Sequence, residues 1–232
     1  MPRPSKARLL RVVKEARACR VCAADLPLGP RPILRVPPET RLLIIGQAPG
    51  TRVHESGVPW DDPSGDHLRE WLGLDRDAFY GSNAIGILPM GLCYPGKQSG
   101  KKSGGDAPPR PECAPLWHER IRNELGQLEL TLLVGRYAHQ AYLGGSRNVT
   151  DTVRAFGEHL PEFLPLPHPS WRSRIWMEKN PWFARELLPV LRRAVKKTVG
   201  YQARSSSRTK RDSRASPART ASRKSPRHSA SS

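Results

Sequence analysis

Two short loops carry groups that could do chemistry together. The first is Gly46-Gln47-Ala48-Pro49-Gly50, which follows directly on the apolar run Leu42-Leu43-Ile44-Ile45. Apolar residues that break at once into Gly and Pro read as a buried strand whose end presents bare backbone. The two glycines let a ligand come close to that backbone. The second loop is Pro167-His168-Pro169-Ser170, where two prolines hold an imidazole rigidly. In open α/β sheets the loops at the carboxyl ends of the strands make the ligand site. The pair therefore predicts a cavity with backbone donors on one wall and a His on another. A plain strand-to-helix turn, and a His ordered only for turn geometry, are the structural alternatives.

The four cysteines form another group. Cys19 and Cys22 make a C-x-x-C; Cys93 follows the second predicted strand, and Cys113 lies twenty residues further on. Four thiolates can hold an iron–sulfur cluster or a structural zinc. Four unlinked thiols, some of them buried and inert, are the other reading. Spacing alone leaves metal and no metal open.

The elements that must position these residues alternate between helix and strand. Residues 1–18 read as a short basic amphipathic helix, and a Pro-rich connector (26–38) leads to the first strand, 42–45. After an irregular stretch to Pro63, Ser64 can cap a helix to about Leu72 that stops at Gly73. Residues 84–88 read as strand two, and 94–111 as a Gly/Pro/Lys loop. A helix over 111–125, a strand at 128–134 and helices at 137–143 and 149–156 follow. The last strand, 163–166, ends at His168, and a final helix over 181–199 is expected to break near Pro189. This alternation predicts a parallel sheet with helices on both faces.

The 232 residues suffice for one good core but not for two large domains. The division expected is one folded domain over 1–199 and a disordered basic Ser/Arg/Lys tail over 200–232. The net charge is +18. The tail holds nine Lys/Arg against one Asp, about +8, which leaves about +10 on the body. A basic body with a basic tail favours a polyanionic partner, of which nucleic acid is the usual one. No stretch approaches a membrane span, and no signal-peptide core follows the basic start. A monomeric, cytoplasmic protein is expected, nucleoid-associated if bacterial.

The loop GQAPG after strand one, the later HPS, and cysteines before strand one and after strand two together resemble the uracil-DNA glycosylase superfamily. The likeness is greatest to its iron–sulfur branches, families 4 and 5, and covers about residues 19–195. It implies a three-layer α/β/α domain with a four-stranded parallel sheet, and a 4Fe–4S cluster on Cys19, Cys22, Cys93 and Cys113. It also implies hydrolysis of the N-glycosidic bond of deoxyuridine in DNA. His168 would donate to the leaving base, and the backbone around Gly46, Gln47, Ala48 and Gly50 would bind its oxygens. Trp60 stands where these branches place a Phe that stacks on the base; a core Trp is the alternative. Ser170, Trp171, Arg172 and Arg174 fall in the loop that enters the DNA minor groove, although Trp171 could instead pack inward with Trp176 and Trp182.

Two departures from the family pattern matter. Classical members carry an Asp where this chain has Ala48. The branch with a GLAPA-like first loop uses a carboxylate further on, and Asp62 falls on that position, with Asp61 and Asp66 beside it. Many members also read the base edge with an Asn at the end of strand two, where this chain has Leu88-Pro89-Met90-Gly91. Base preference therefore stays open among uracil, hypoxanthine and xanthine. A catalytically inactive or abasic-site-trapping DNA-binding protein of the same fold is the second hypothesis. A dinucleotide binder is disfavoured, because GQAPG is not G-x-G-x-x-G.

Overall fold

The computed structural model describes residues 3–98, 105–145 and 147–200. The basic segment from 201 onward, expected to be disordered, lies outside the described residues. Strands β1 (Leu42–Ile45), β2 (Ile85–Ile87), β3 (Leu130–Val134) and β4 (Phe163–Leu166) form one sheet in the order β2-β1-β3-β4, with every neighbouring pair parallel. β1 and β3 are buried along their whole length because helices cover both faces, and so they read as unbroken apolar runs. Pro165 sits in β4, an edge strand, where a missing N–H costs no ladder bond on the open side.

Side chains of β1 alternate between two cores. Leu42 and Ile44 join a cluster built with α3 (Pro63–Leu72), α4 (Arg76–Gly81), α7 (Val149–Arg154) and α9 (Leu188–Val199). Leu43 and Ile45 join another, built with α1 (Lys6–Arg17), α5 (Cys113–Arg122) and α6 (Arg136–Leu143). This is the expected three-layer α/β/α arrangement. The free edge of β2 is covered by the Pro-rich connector, where Arg35 forms an antiparallel bridge with Ile87. Among the described residues no helix is long and apolar enough to cross a membrane.

Several boundaries differ from the sequence reading. Asp62, rather than Ser64, caps α3; its side chain accepts from Gly65 N–H, and Pro63 takes the first helical position. The stretch read as irregular contains α2 (Thr51–Ser56), and the loop after His168 leads into α8 (Ser173–Lys179). Both are too short to show periodicity. The final helix does not break at Pro189. It begins as a π-helical turn over Phe183–Leu187 that runs into α9, with Pro189 in the first turn of α9. The 94–111 loop carries a bridge between Lys97 and Asp106.

Candidate active site

The loops after β1, β2 and β4 surround a cavity of about 350 Å³ at the carboxyl ends of the strands. Its walls include Gly46, Gln47, Ala48, Pro49 and Gly50 on one side and His168 on another. Parallel pairing continues past the strand ends. The carbonyls of Gly46 and Gln47 accept from the N–H groups of Met90 and Gly91, each at 2.9 Å. The first loop is thereby tied to the segment after β2.

His168 is held from below and behind. Gly135, at the end of β3, has φ +86°, and a Cβ there would lie 3.5 Å from His168 Cβ. The His67 ring donates to the Pro169 carbonyl at 3.3 Å. Burial is the largest influence on the imidazole and lowers its pKa, against the opposing pull of Asp62 and Asp106. A neutral imidazole presents one N–H and can donate to an oxygen without carrying charge.

Trp60 lies beside this group. Its ring centroid is 6.0 Å from that of His168, with the planes inclined at 37°. Among the described residues it is the only non-glycine residue with positive φ, +61°. Such a backbone is costly for a bulky side chain and persists only when its surroundings impose it. Here they do. Buried Arg69 donates to the Trp60 carbonyl at 3.1 Å and to Tyr80 Oη at 3.2 Å, and Tyr80 donates to the Pro59 carbonyl at 2.9 Å. Burial pushes the Tyr80 pKa up, against Arg69 and Arg76, so the hydroxyl keeps its proton. Gly46 and Gly65 leave room for this turn: a Cβ on Gly46 would lie 2.8 Å from the indole, and one on Gly65 1.8 Å from the Trp60 carbonyl oxygen.

The structure separates the three neighbouring acids. Asp61 pairs with Arg76 at 2.8 Å, and Asp66 pairs with Arg69. Of the three, only Asp62 lines the cavity. Its Oδ1 serves the helix cap at 2.8 Å from Gly65 N.

Ser170, Trp171 and Arg172 also line the cavity, whereas Arg174 lies exposed in the first turn of α8, outside the lining. Trp171 is 68% exposed, with the Arg172 guanidinium 5.0 Å from its ring centre. The inward alternative for Trp171 is excluded, because Trp176 and Trp182 pack edge-on against each other and Phe183 instead. Sequence reasoning missed Asp106. It lies beyond a Gly/Lys-rich loop with no periodic signal, yet it lines the cavity next to Gly50 and pairs with Lys97 at 2.8 Å.

Cys19, Cys22, Cys93 and Cys113 all border one small cavity, whose other walls include Val21, Leu26, Pro30, Pro32 and Leu92. Leu92 N–H donates to Cys113 Sγ at 3.2 Å, and burial pushes the Cys113 thiol up to about 12. No three His, Cys, Asp or Glu side chains among the described residues are grouped so as to hold a metal ion. One zinc draws its sulfurs to about 2.3 Å from a single point. An iron–sulfur cluster takes four thiolates as well, so the four cysteines that border this pocket are a donor set either centre could use.

The four-stranded parallel α/β/α domain thus places an imidazole and an indole beside a strand-end loop in one cavity. A family model for the Uracil DNA glycosylase superfamily matches residues 34–192. The chain belongs to that superfamily, and its membership supports glycosylase-type hydrolysis with DNA as the substrate.

Proposed function

We propose that this protein is a DNA repair enzyme that hydrolyses the N-glycosidic bond of deoxyuridine, or of another deaminated nucleoside, and leaves an abasic site. The observation that carries this reading is the single cavity shared by the 46–50 loop, Trp60 and His168. A base inside a duplex cannot be reached, so it must be turned out of the stack into such a pocket. There Trp60 stacks on its face, which is worth about 1–3 kcal/mol per base. The 46–50 backbone and the neutral His168 N–H bind its oxygens. As the C1′–N bond breaks, the base takes the electron pair, and these donors stabilise the charge it gains. A water held by Asp62 adds to C1′ and gives up its proton to the Asp62 carboxylate, and the released base anion takes a proton from solvent. Trp171, at the mouth, fills the gap left in the duplex, and Arg172 and Arg174 contact phosphates.

Cys19, Cys22, Cys93 and Cys113 hold a 4Fe–4S cluster in this reading. Bound, it is a structural crosslink joining the end of α1, the segment after β2 and the start of α5. The chain's own residues perform the hydrolysis.

Full-length protein incubated with oligonucleotides carrying one uracil, hypoxanthine or xanthine tests the reading, with free base detected by mass spectrometry and abasic sites by alkaline cleavage. Release of at least one base is expected. Binding to abasic DNA without release of any base would instead establish the non-catalytic alternative.

A further inference from the structure

We infer that Asp106 is a specificity-determining residue that accepts the ring N–H of the extruded base, the N3–H of uracil or the N1–H of a deaminated purine. The inference rests on the glycosylase reading above and adds to it the group that selects the base.

Recognition of such a ring needs both polarities. Its carbonyl oxygens want donors, and the N–H beside them wants an acceptor. The donors are the 46–50 backbone and His168. The segment after β2 contributes Pro89, whose side chain has no polar atom, to the lining. The side-chain amide of Gln47 is turned toward the Ala107 carbonyl at 3.4 Å. One oxygen of Asp62 is engaged in the helix cap.

Asp106 is a second carboxylate in the lining, and its charge makes it a stronger acceptor than the Ser64 and Ser170 hydroxyls or the Gln47 amide oxygen that share the cavity. A carboxylate only accepts, and one facing DNA repels phosphate, so its partner must be a cation, a water or an N–H. Lys97 holds Oδ1 at 2.8 Å. Oδ2 sits against Gly50, 3.1 Å from where a Cβ would be. This places Asp106 beside the loop that binds the base, while Asp62 belongs to the start of α3. The Lys97 ammonium offsets the carboxylate charge, so a base departing with negative charge is not repelled by a bare anion. Gly50 keeps this approach uncrowded, since a Cβ there would require Asp106 to shift slightly.

The test is single-turnover excision of deoxyuridine and of N3-methyldeoxyuridine from otherwise identical strands. The methyl group removes the N–H and leaves both carbonyls. Wild type, Asp106→Ala, Asp106→Asn and Lys97→Met are compared, with thermal unfolding as the check on folding. A hydrogen bond to a charged group implies that wild type prefers deoxyuridine by about 10-fold or more, and that Asp106→Ala collapses the preference by about that factor. Lys97→Met, which loosens the loop but keeps the acceptor, should largely retain it. If Asp106→Ala and Asp106→Asn slow both substrates equally, or if Lys97→Met shifts the preference as much as Asp106→Ala, the assignment is overturned. A wild-type protein that releases no base from any strand would bring down the glycosylase reading itself, an outcome distinct from an active enzyme whose preference does not move.

Discussion

The indole of Trp60 and the imidazole of His168 pair side by side in the wall of one cavity, 6.0 Å between ring centres, although their positions in the chain differ by 108. The gap is set from both sides. The HPS loop is anchored by His67 and backed by Gly135, while Trp60 is locked in a left-handed backbone by Arg69 and Tyr80. Neither loop can shift far without breaking one of these part-buried hydrogen bonds.

Removing the imidazole tests the chemistry. His168→Ala should lower single-turnover excision by about 10²–10³-fold, the usual cost of one leaving-group donor. DNA affinity, measured by anisotropy, should change little, because the phosphate contacts lie elsewhere.

The three acids make a graded series. Asp62→Asn should reduce excision far more than Asp61→Asn or Asp66→Asn, since only Asp62 reaches the cavity. An amide oxygen can still accept from Gly65 N–H, so thermal stability should fall only modestly in Asp62→Asn. Equal rates for all three variants would remove Asp62 from the mechanism.

The turn around Trp60 predicts a stability defect. In Gly65→Ala the new Cβ would meet the Trp60 carbonyl oxygen at 1.8 Å, a contact that backbone must move to relieve. Urea unfolding should show a loss of about 2 kcal/mol or more, in the range of overpacked and strained core sites. Tyr80→Phe keeps the packing and deletes one hydrogen bond to the Pro59 carbonyl, so its loss should be about 1 kcal/mol.

Buried His118 sets a pH dependence. Its Nε2–H donates to the Pro89 carbonyl, Tyr142 donates to Nδ1, and burial lowers its pKa from 6.5 to about 4. The unfolded chain therefore binds the proton first. The contribution is fully present above about pH 6.5 and is lost as the pH falls toward 4, amounting to about 3 kcal/mol. His118→Gln should flatten the stability curve between pH 6.5 and 4 in denaturant titrations.

The cysteine set is tested by composition. Protein prepared without oxygen should be brown and carry iron and sulfide in equal amounts, and Cys93→Ser should lose the colour. A colourless wild-type protein free of iron under the same conditions would remove the cluster from the account.

Much of this architecture was readable because local signals agreed. The runs at 42–45 and 163–166, each ending in Gly or Pro, located two strand ends and hence the loops of the site. Local pattern alone could not sort Asp61, Asp62 and Asp66; the family resemblance singled out Asp62, while the pairing of Asp61 with Arg76 and of Asp66 with Arg69 is visible only in the structure. The pattern also assigned the α3 cap to Ser64, because a proline between Asp62 and Ser64 obscured where the helix began. Asp106 was invisible for a different reason. Only the bridge to Lys97 and the fold of the loop bring it to Gly50, and nothing in a Gly/Lys-rich stretch reports that.

The most direct measurement is a crystal structure of the His168→Ala protein bound to uracil-containing DNA. The uracil should lie turned out of the helix, its face on Trp60 and its oxygens on the 46–50 backbone, with Trp171 in the vacated space. A base still stacked in the duplex, or seated away from this cavity in a complex that forms tightly, would contradict the account.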